Sequence, residues 1–252
     1  MKLCENMSEL KNIRDDIKDL NTEKLIEYIL NQFRDKVALA SSLGAEDQVL
    51  THIMLKLNPE ANIFTLDTGR LNPETYDVLE ATNRKYDTKI EVVFPDFKRV
   101  EKMVNEQGPN LFYESVENRK LCCQIRKVEP LKRKLSGLEA WITGLRKAQS
   151  VTRNTLDIVE LDEKHGILKF NPLADWSHED VWGFIKKQDV PYNKLHEKGY
   201  ASIGCAPCTR AIGDGEDVRA GRWWWEDPQS KECGLHIKDG KLVRKGNIEY
   251  RI

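Results

Sequence analysis

Five of the six cysteines in this 252-residue chain fall in three short segments whose spacing is typical of metal ligation or thiol chemistry. Cys122 and Cys123 are adjacent, Cys205 and Cys208 form a C-x-x-C motif, and Cys233 stands alone in KECGLH. Four thiolates in two close pairs predict a metal or cluster site. The fifth is a candidate nucleophile, so the pattern indicates redox chemistry on sulfur rather than a disulfide scaffold.

The adjacent pair favours a cluster over a single ion. Neighbouring residues on a helix point about 100° apart, so Cys122 and Cys123 can both ligate only a bulky partner or one met at a helix end. An iron–sulfur cluster spreads its ligand positions over several iron atoms and suits such a pair better than one tetrahedral zinc ion. Zinc and a redox dithiol remain the alternatives. Cys4 is interpreted as a small hydrophobic residue.

The lone cysteine lies in a polar segment that contains glycine and histidine. Gly234 gives the backbone freedom, and His236 is placed to stabilise a Cys233 thiolate or an adjacent anion. Exposed polar segments seldom carry cysteine for packing reasons, which favours a nucleophile. Three tryptophans precede it at 223–225. We expect them to anchor the tail to the domain, with a partner-docking surface as the alternative.

Three polar or basic loops follow predicted strands. The strand 36–42 leads through SSLGAED into a helix over 46–57, LDTGR ends the strand 62–68, and GLRKAQSVTR follows the strand 139–145. Doubly wound sheets bind ligands at the carboxyl ends of their strands, and small residues before a helix let backbone N–H groups approach an anion. No Walker-type motif is present. Together with basic residues beside the cysteines, the loops predict an anionic nucleotide; these basic residues are Arg126, Lys127, Arg219 and Arg222.

The periodicity predicts an α/β fold with a doubly wound, mostly parallel sheet. Residues 1–35 form N-terminal helices with a break near 21–22, and 36–210 form the nucleotide- and cluster-binding domain. A third strand is expected over 89–95, with helices over 74–86 and 177–188. Residues 211–252 form a C-terminal tail, rich in Gly and charge, that is expected to be mobile.

Bulk composition excludes several classes of protein. The chain is 40% hydrophobic and 32% charged, with a formal net charge of only −1. A net charge this small does not indicate binding to nucleic acid or to a membrane surface. No segment approaches the roughly 20 apolar residues of a membrane span, and the N-terminus lacks a signal-peptide core. We therefore expect a cytoplasmic protein, whose thiols remain reduced.

Taken together, these segments resemble a known family over about residues 36–237. They are similar to the assimilatory adenylylsulfate (APS) reductases of bacteria and plants, whose core is an adenine nucleotide alpha hydrolase-like (PP-loop) fold. The segments that carry the resemblance are SSLGAEDQVL, LDTGRLNPETY, CCQIRKVEPL, ITGLRKAQSVTR, IGCAPCTR, GRWWWE and ECGLH.

The resemblance implies a role for each motif. It places one 4Fe-4S cluster on the four paired cysteines and makes Cys233 the nucleophile that attacks the sulfate sulfur, expels AMP and becomes an S-sulfocysteine. Thioredoxin then reduces this adduct and releases sulfite. The loops after the strands would hold the nucleotide, and cationic side chains would hold its sulfonated phosphate. The implied substrate-binding residues are Ser41, Ser42, Gly44, Leu66, Gly69, Lys127, Gly144, Arg219, Arg222 and His236.

Three other functions stay open at this stage. A related group reduces the 3′-phosphorylated substrate, but it lacks both cysteine pairs. A PP-loop tRNA-modifying enzyme should show a basic face for RNA, and this chain is nearly neutral. A zinc-stabilised binding module would have no use for Cys233. The sequence does not decide whether the protein forms a homo-oligomer.

Overall fold

A six-stranded sheet forms the centre of the protein, in a computed structural model that describes residues 2–149 and 156–227, with side chains from residue 10 onwards. Its strands are β1 (Val37–Ser41), β2 (Ile63–Leu66), β3 (Glu91–Val93), β4 (Ala140–Ile142), β5 (Val159–Asp162) and β6 (Ile167–Phe170). They lie in the order β3-β2-β1-β4-β6-β5, and every neighbouring pair is parallel except β5 and β6. The predicted doubly wound, mostly parallel sheet is confirmed.

Eight α-helices lie in the described part of the chain. They are α1 (Lys2–Ile17), α2 (Thr22–Phe33), α3 (Ala45–Leu57), α4 (Pro73–Tyr86), α5 (Phe97–Gln107), α6 (Val116–Cys123), α7 (Glu129–Leu135) and α8 (His178–Gln188). The expected break near 21–22 is confirmed: Asn21 caps α2 by accepting a hydrogen bond from the Lys24 backbone N–H. None of the helices in the described ranges is long and apolar enough to cross a membrane.

The sheet buries both of its faces, as parallel sheets do. Alternate residues of β1 go to opposite sides: Val37 and Leu39 join one buried cluster, and Ala38 joins the other. The larger cluster contains apolar side chains of α1, α2, α3 and α8, and the smaller one contains Leu131 and Leu135 of α7. Because both faces of the sheet are covered, a ligand is expected to bind at the edge formed by the carboxyl ends of the strands.

The chain was predicted to divide at residues 35 and 210, and these boundaries stay predictions. The N-terminal helices share the larger buried cluster with the sheet, through side chains such as Ile17 and Ile29. Residues 211–227 fold back beside the C-x-x-C motif: Arg210 N–H donates to the Gly221 carbonyl at 3.0 Å, and Trp223 N–H donates to the Cys208 carbonyl at 3.1 Å. The described part of the expected tail therefore contacts the domain.

Candidate active site

A cavity of about 550 Å³ opens at the carboxyl ends of β1, β2 and β4. β1 lies between β2 and β4, so the chain order reverses at this strand. Such a switch point is the expected ligand site of an open α/β sheet, because the loops that leave its two strands run in opposite directions. The three loops predicted from the sequence meet here, through Ser42 after β1, Leu66 at the end of β2 and Gly144 after β4.

The loop after β1 turns sharply before α3 begins. Leu43 lies in the left-handed region with φ 60°, and its side chain is buried. The Leu43 N–H donates to Ser41 Oγ at 3.1 Å, which holds the turn closed. The Ser42 N–H and the Ser42 hydroxyl both donate to Asp47 Oδ2, at 2.6 Å each. Two of the loop's backbone N–H groups are thus used inside the protein.

Gly144 packs directly against the first turn of α3. A Cβ atom at this position would lie 2.3 Å from Asp47 Oδ1 and 2.9 Å from the Glu46 Cβ, so only glycine allows the approach. The Gly144 N–H donates to Asp47. Burial raises the pKa of Asp47 to about 6, although the hydrogen bonds from Ser42 and Gly144 lower it in part. Asp47 therefore connects the loops after β1 and β4.

A second contact joins the same two loops. Arg146 donates through Nε to Glu46 Oε1 at 2.9 Å and through Nη1 to the Trp176 carbonyl at 3.2 Å. Both charged side chains line the cavity. The Arg146 guanidinium compensates the negative charge of Glu46, which would otherwise repel an anionic ligand in the cavity.

The four paired cysteines line one small cavity next to the larger one. Cys123 is the last residue of α6 and is followed by a π-helical turn, Gln124–Val128. Such π-helical turns are rare in proteins, and those that occur often lie at functional sites. The Thr68 hydroxyl lies 3.3 Å from Cys205 Sγ. Four cationic side chains line the same cavity: Arg70, Arg119, Arg126 and Lys127.

The surroundings shift the pKa values of the two thiols of the C-x-x-C motif in opposite directions. Burial alone would raise the pKa of Cys205, but the Lys127 ammonium, the Thr68 hydroxyl and the Arg222 guanidinium together lower it. Burial and the neighbouring Cys205 raise the pKa of Cys208 to about 12. Within the described ranges, no three His, Cys, Asp or Glu side chains form a group that would hold one metal ion.

Residues 219–223 bring cations and an aromatic ring to the larger cavity. Arg219, Arg222 and Trp223 line this cavity. The Arg222 guanidinium lies 4.8 Å from the centre of the Trp223 ring, a cation–π contact. Trp223 is buried beside Cys208, and its Nε1–H has no hydrogen-bond partner among the described residues. Because Trp223 lines the larger cavity, this buried donor without a partner fits an acceptor bound there.

The structure brings together most of the residues predicted to bind substrate. Eight of the ten line the larger cavity: Ser41, Ser42, Gly44, Leu66, Lys127, Gly144, Arg219 and Arg222. Gly69 lies beside the site, in the left-handed region with φ 69°, and its N–H donates to Asp67 Oδ1 at 2.7 Å. Cys233 and His236 lie outside the described residues. Their roles, like those of the other residues, stay predictions.

Several residues of the site were not predicted. Asp47, Glu46 and Arg146 line the cavity, although the first two read as ordinary acidic residues in the first turn of a helix. The sequence signal that was available is their position in the two loop motifs, SSLGAED and GLRK. Thr68 contacts and Trp223 packs beside the cysteines; the motifs LDTGR and GRWWWE contain them, but neither residue was predicted to lie at the cysteine site.

Known proteins are similar to this chain over most of its length. The phosphoadenosine phosphosulfate reductase domain matches residues 36–211. A protein of Allochromatium vinosum named adenosine 5′-phosphosulfate reductase is 55% identical over 205 residues, which are 81% of this chain and 80% of that protein. The chloroplastic 5′-adenylylsulfate reductase 3 of Arabidopsis thaliana is 43% identical over 238 residues, or 91% of this chain and 51% of the plant protein.

Solved structures show the same fold. The phosphoadenylyl-sulfate reductase of Candida auris, in a phosphate complex, has a TM-score of 0.69 and 26% identity, and covers 81% of this chain and 96% of its own. An FMN adenylyltransferase of Candida glabrata has a TM-score of 0.54 at 14% identity, covering 93% of this chain and 81% of its own, and supports the PP-loop fold alone. From the matched domain and the identity to named relatives, the chain belongs to the adenosine 5′-phosphosulfate reductase family.

Proposed function

We propose that this protein reduces adenosine 5′-phosphosulfate, which is adenylylsulfate, to sulfite and AMP in assimilatory sulfate reduction that feeds cysteine biosynthesis. The observation that carries the proposal is the position of Lys127, which lines both the nucleotide-sized cavity and the four-cysteine cavity. A cation between these cavities suits a ligand whose nucleoside lies at the sheet edge and whose sulfonated phosphate reaches the cysteines. Cytosolic conditions, which keep thiols reduced, suit this chemistry.

The proposed reaction moves two electrons from thiols to sulfur. The Cys233 thiolate attacks the sulfate sulfur, an S–S bond forms, and the bond from sulfur to the bridging phosphate oxygen breaks to release AMP. A dithiol reductant of the thioredoxin type then attacks the S-sulfocysteine and becomes a disulfide, while sulfite leaves with sulfur reduced from +6 to +4. Lys127, Arg219 and Arg222 line the cavity where negative charge gathers in the first step.

The four paired cysteines are proposed to hold a 4Fe-4S cluster. The donor set fits: one cavity is lined by all four thiols and by four cationic side chains that compensate their charge. A single zinc ion needs all its ligands about 2.3 Å from one centre, whereas a cluster binds each thiolate at a separate iron. Iron and acid-labile sulfide in the purified protein would support this assignment, and stoichiometric zinc with neither of them would overturn it.

The unphosphorylated nucleotide is favoured over its 3′-phosphorylated form. Relatives named for adenosine 5′-phosphosulfate are up to 55% identical, whereas the reductase named for the phosphorylated nucleotide is 26% identical. Both cysteine pairs are also present. Comparison of kcat/KM for the two nucleotides tests this preference directly.

The proposed function is tested by incubating the cluster-loaded protein with adenosine 5′-phosphosulfate alone and measuring its intact mass. We expect one sulfite-sized adduct and one equivalent of AMP. Reduced thioredoxin should then remove the adduct and release sulfite. A protein with intact cysteine pairs that binds the nucleotide and forms no adduct would overturn the mechanism.

Lys127→Ala is expected to slow adduct formation by roughly 100- to 1000-fold, the usual loss when one preorganised donor to a developing charge is removed. Binding of AMP should change much less, because AMP lacks the sulfate that this cation is proposed to hold. Single-turnover kinetics and AMP titration separate the two effects. Lys120→Ala is the matched control, since Lys120 is an exposed lysine on α6; equal loss in both variants would contradict the proposal.

A further inference from the structure

A buried carboxylate lies under the wall of the nucleotide cavity. Asp47 is only 7% exposed and is reached by three donors: the N–H and the hydroxyl of Ser42, and the N–H of Gly144. A buried carboxylate with this many donors is rigidly held. Its two oxygens fix the loop after β1 and the loop after β4 relative to each other.

Two backbone N–H groups of the loop after β1 are consequently unavailable to an anion. The Ser42 N–H is bonded to Asp47 and the Leu43 N–H to Ser41 Oγ, so neither donates to a ligand. The carboxylate behind them repels negative charge. The cations Lys127, Arg219 and Arg222 line the same cavity elsewhere, and Lys127 also lines the cavity of the four cysteines. The anionic part of a ligand is therefore favoured at the cysteine side of the cavity.

The Ser42 hydroxyl can act only as a hydrogen-bond acceptor toward a ligand. A serine hydroxyl has one donor and two acceptor lone pairs, whereas an ionised carboxylate only accepts. The hydroxyl must therefore donate its proton to Asp47 Oδ2, at 2.6 Å. Ser42 is exposed and lines the cavity, so what it presents to a ligand is an acceptor, strengthened by the negative charge behind it.

On the basis of the proposed function, we infer that Ser42, oriented by Asp47, recognises a hydrogen-bond donor on the nucleoside of the substrate. The chemistry required is an O–H or N–H group, and the nucleoside offers two sources: a ribose hydroxyl and the adenine amino group. Asp47 is a positioning residue in this arrangement, because it acts on the ligand only through the Ser42 hydroxyl. The pair selects the nucleoside and leaves the sulfonated phosphate to the cations.

The test uses AMP and three analogues, each lacking one donor, as ligands of the full-length protein. They are 2′-deoxy-AMP, 3′-deoxy-AMP and purine riboside monophosphate, and their Kd values are measured by calorimetry on wild type and on Ser42→Ala. We expect one analogue to bind wild type about 2- to 12-fold more weakly than AMP does, the range for one net hydrogen bond. That difference should vanish in Ser42→Ala, and the identity of the analogue names the donor.

Two further variants separate recognition from structure. Ser202→Ala is the matched control, because Ser202 lines the same cavity and its hydroxyl lies 3.5 Å from Arg222 Nη1; it should keep the wild-type discrimination between ligands. Asp47→Asn offers one oxygen where three donors converge, so it should lose the same discrimination as Ser42→Ala. Should Asp47→Asn fail to fold, the Ser42→Ala comparison carries the test alone.

The outcomes distinguish this inference from the proposed function. If AMP binds wild type and Ser42→Ala keeps the full discrimination between the analogues, the inference is wrong and the proposed function stands. If all four ligands bind wild type equally, the inference is also wrong, because no nucleoside donor is recognised. A cluster-loaded protein that binds no AMP at all would overturn both.

Discussion

Replacing Cys233 with serine is expected to abolish sulfite formation, lowering the rate by roughly a thousandfold or more, as removal of a covalent nucleophile typically does. Serine lacks the reactivity of the cysteine thiolate, and it also cannot lead to reduction of the sulfur. A serine that attacked the sulfate sulfur would form a sulfate ester, in which sulfur stays at +6. Only an S–S bond lets a second thiol release sulfur as sulfite. The variant should therefore show no burst of AMP release linked to an adduct.

Intact mass and AMP binding check this expectation together. Cys233→Ser should carry no adduct after incubation with adenosine 5′-phosphosulfate, while its Kd for AMP stays within about twofold of wild type, since the lining of the cavity among the described residues already comes from many other segments. Cys4→Ser is the matched control and should form the adduct at the wild-type rate. An adduct on Cys233→Ser would assign the nucleophile to another cysteine and contradict the proposal.

Much of the sheet could be predicted because its strands are buried on both faces. The apolar runs at β1, β2 and β4 are continuous and end in Gly-containing loops, so both their existence and their ends were visible in the sequence. The hairpin of β5 and β6 was not predicted. Each of its strands has four residues, including charged ones such as Glu160 and Lys169, and the pairing of β6 with β4 depends on the tertiary fold.

The candidate site was predictable to the extent that loops at one sheet edge must meet. Ser42, Leu66 and Gly144 belong to the three motifs that follow predicted strands, so their place in the chain indicated their place at one edge of the sheet. The contact between Asp47 and Gly144 could not be predicted, because a carboxylate in the first turn of a helix gives the same sequence signal whether it faces solvent or another loop. The π-helical turn after Cys123 likewise has no signature in residue types.

A buried ion pair between α6 and the segment after the C-x-x-C motif was also invisible in the sequence, since 107 residues separate its partners. Arg119 donates to Glu226 through Nε at 2.9 Å and through Nη2 at 2.8 Å, and the two side chains are 1% and 3% exposed. The Arg119 guanidinium also lies 4.6 Å from the centre of the Trp223 ring. This bidentate pair attaches the helix of Cys122 and Cys123 to the turn at 223–226 beside Cys208.

Arg119→Met is expected to lower the free energy of unfolding by about 3–5 kcal/mol, because it removes the bidentate guanidinium that compensates the buried Glu226 carboxylate. Arg119→Met with Glu226→Met should recover most of that loss, since replacing both partners with apolar groups of similar size removes the uncompensated charge. Urea titration of the purified protein, followed by tryptophan fluorescence, gives the three free energies. Arg210→Met, which breaks the exposed pair with Glu216, is the control and should change stability little.

The double variant also decides what the pair is for. If its only contribution were stability, the recovered protein should hold iron and form the adduct as wild type does. We expect instead that the double variant folds but forms the adduct about tenfold more slowly, because residues 222–226 carry Arg222 and Trp223 at the larger cavity and only six residues separate them from Cys233. Methionine side chains without fixed hydrogen bonds would hold this segment less rigidly than a bidentate pair does. Wild-type adduct kinetics in a fully recovered double variant would show that the ion pair serves stability alone.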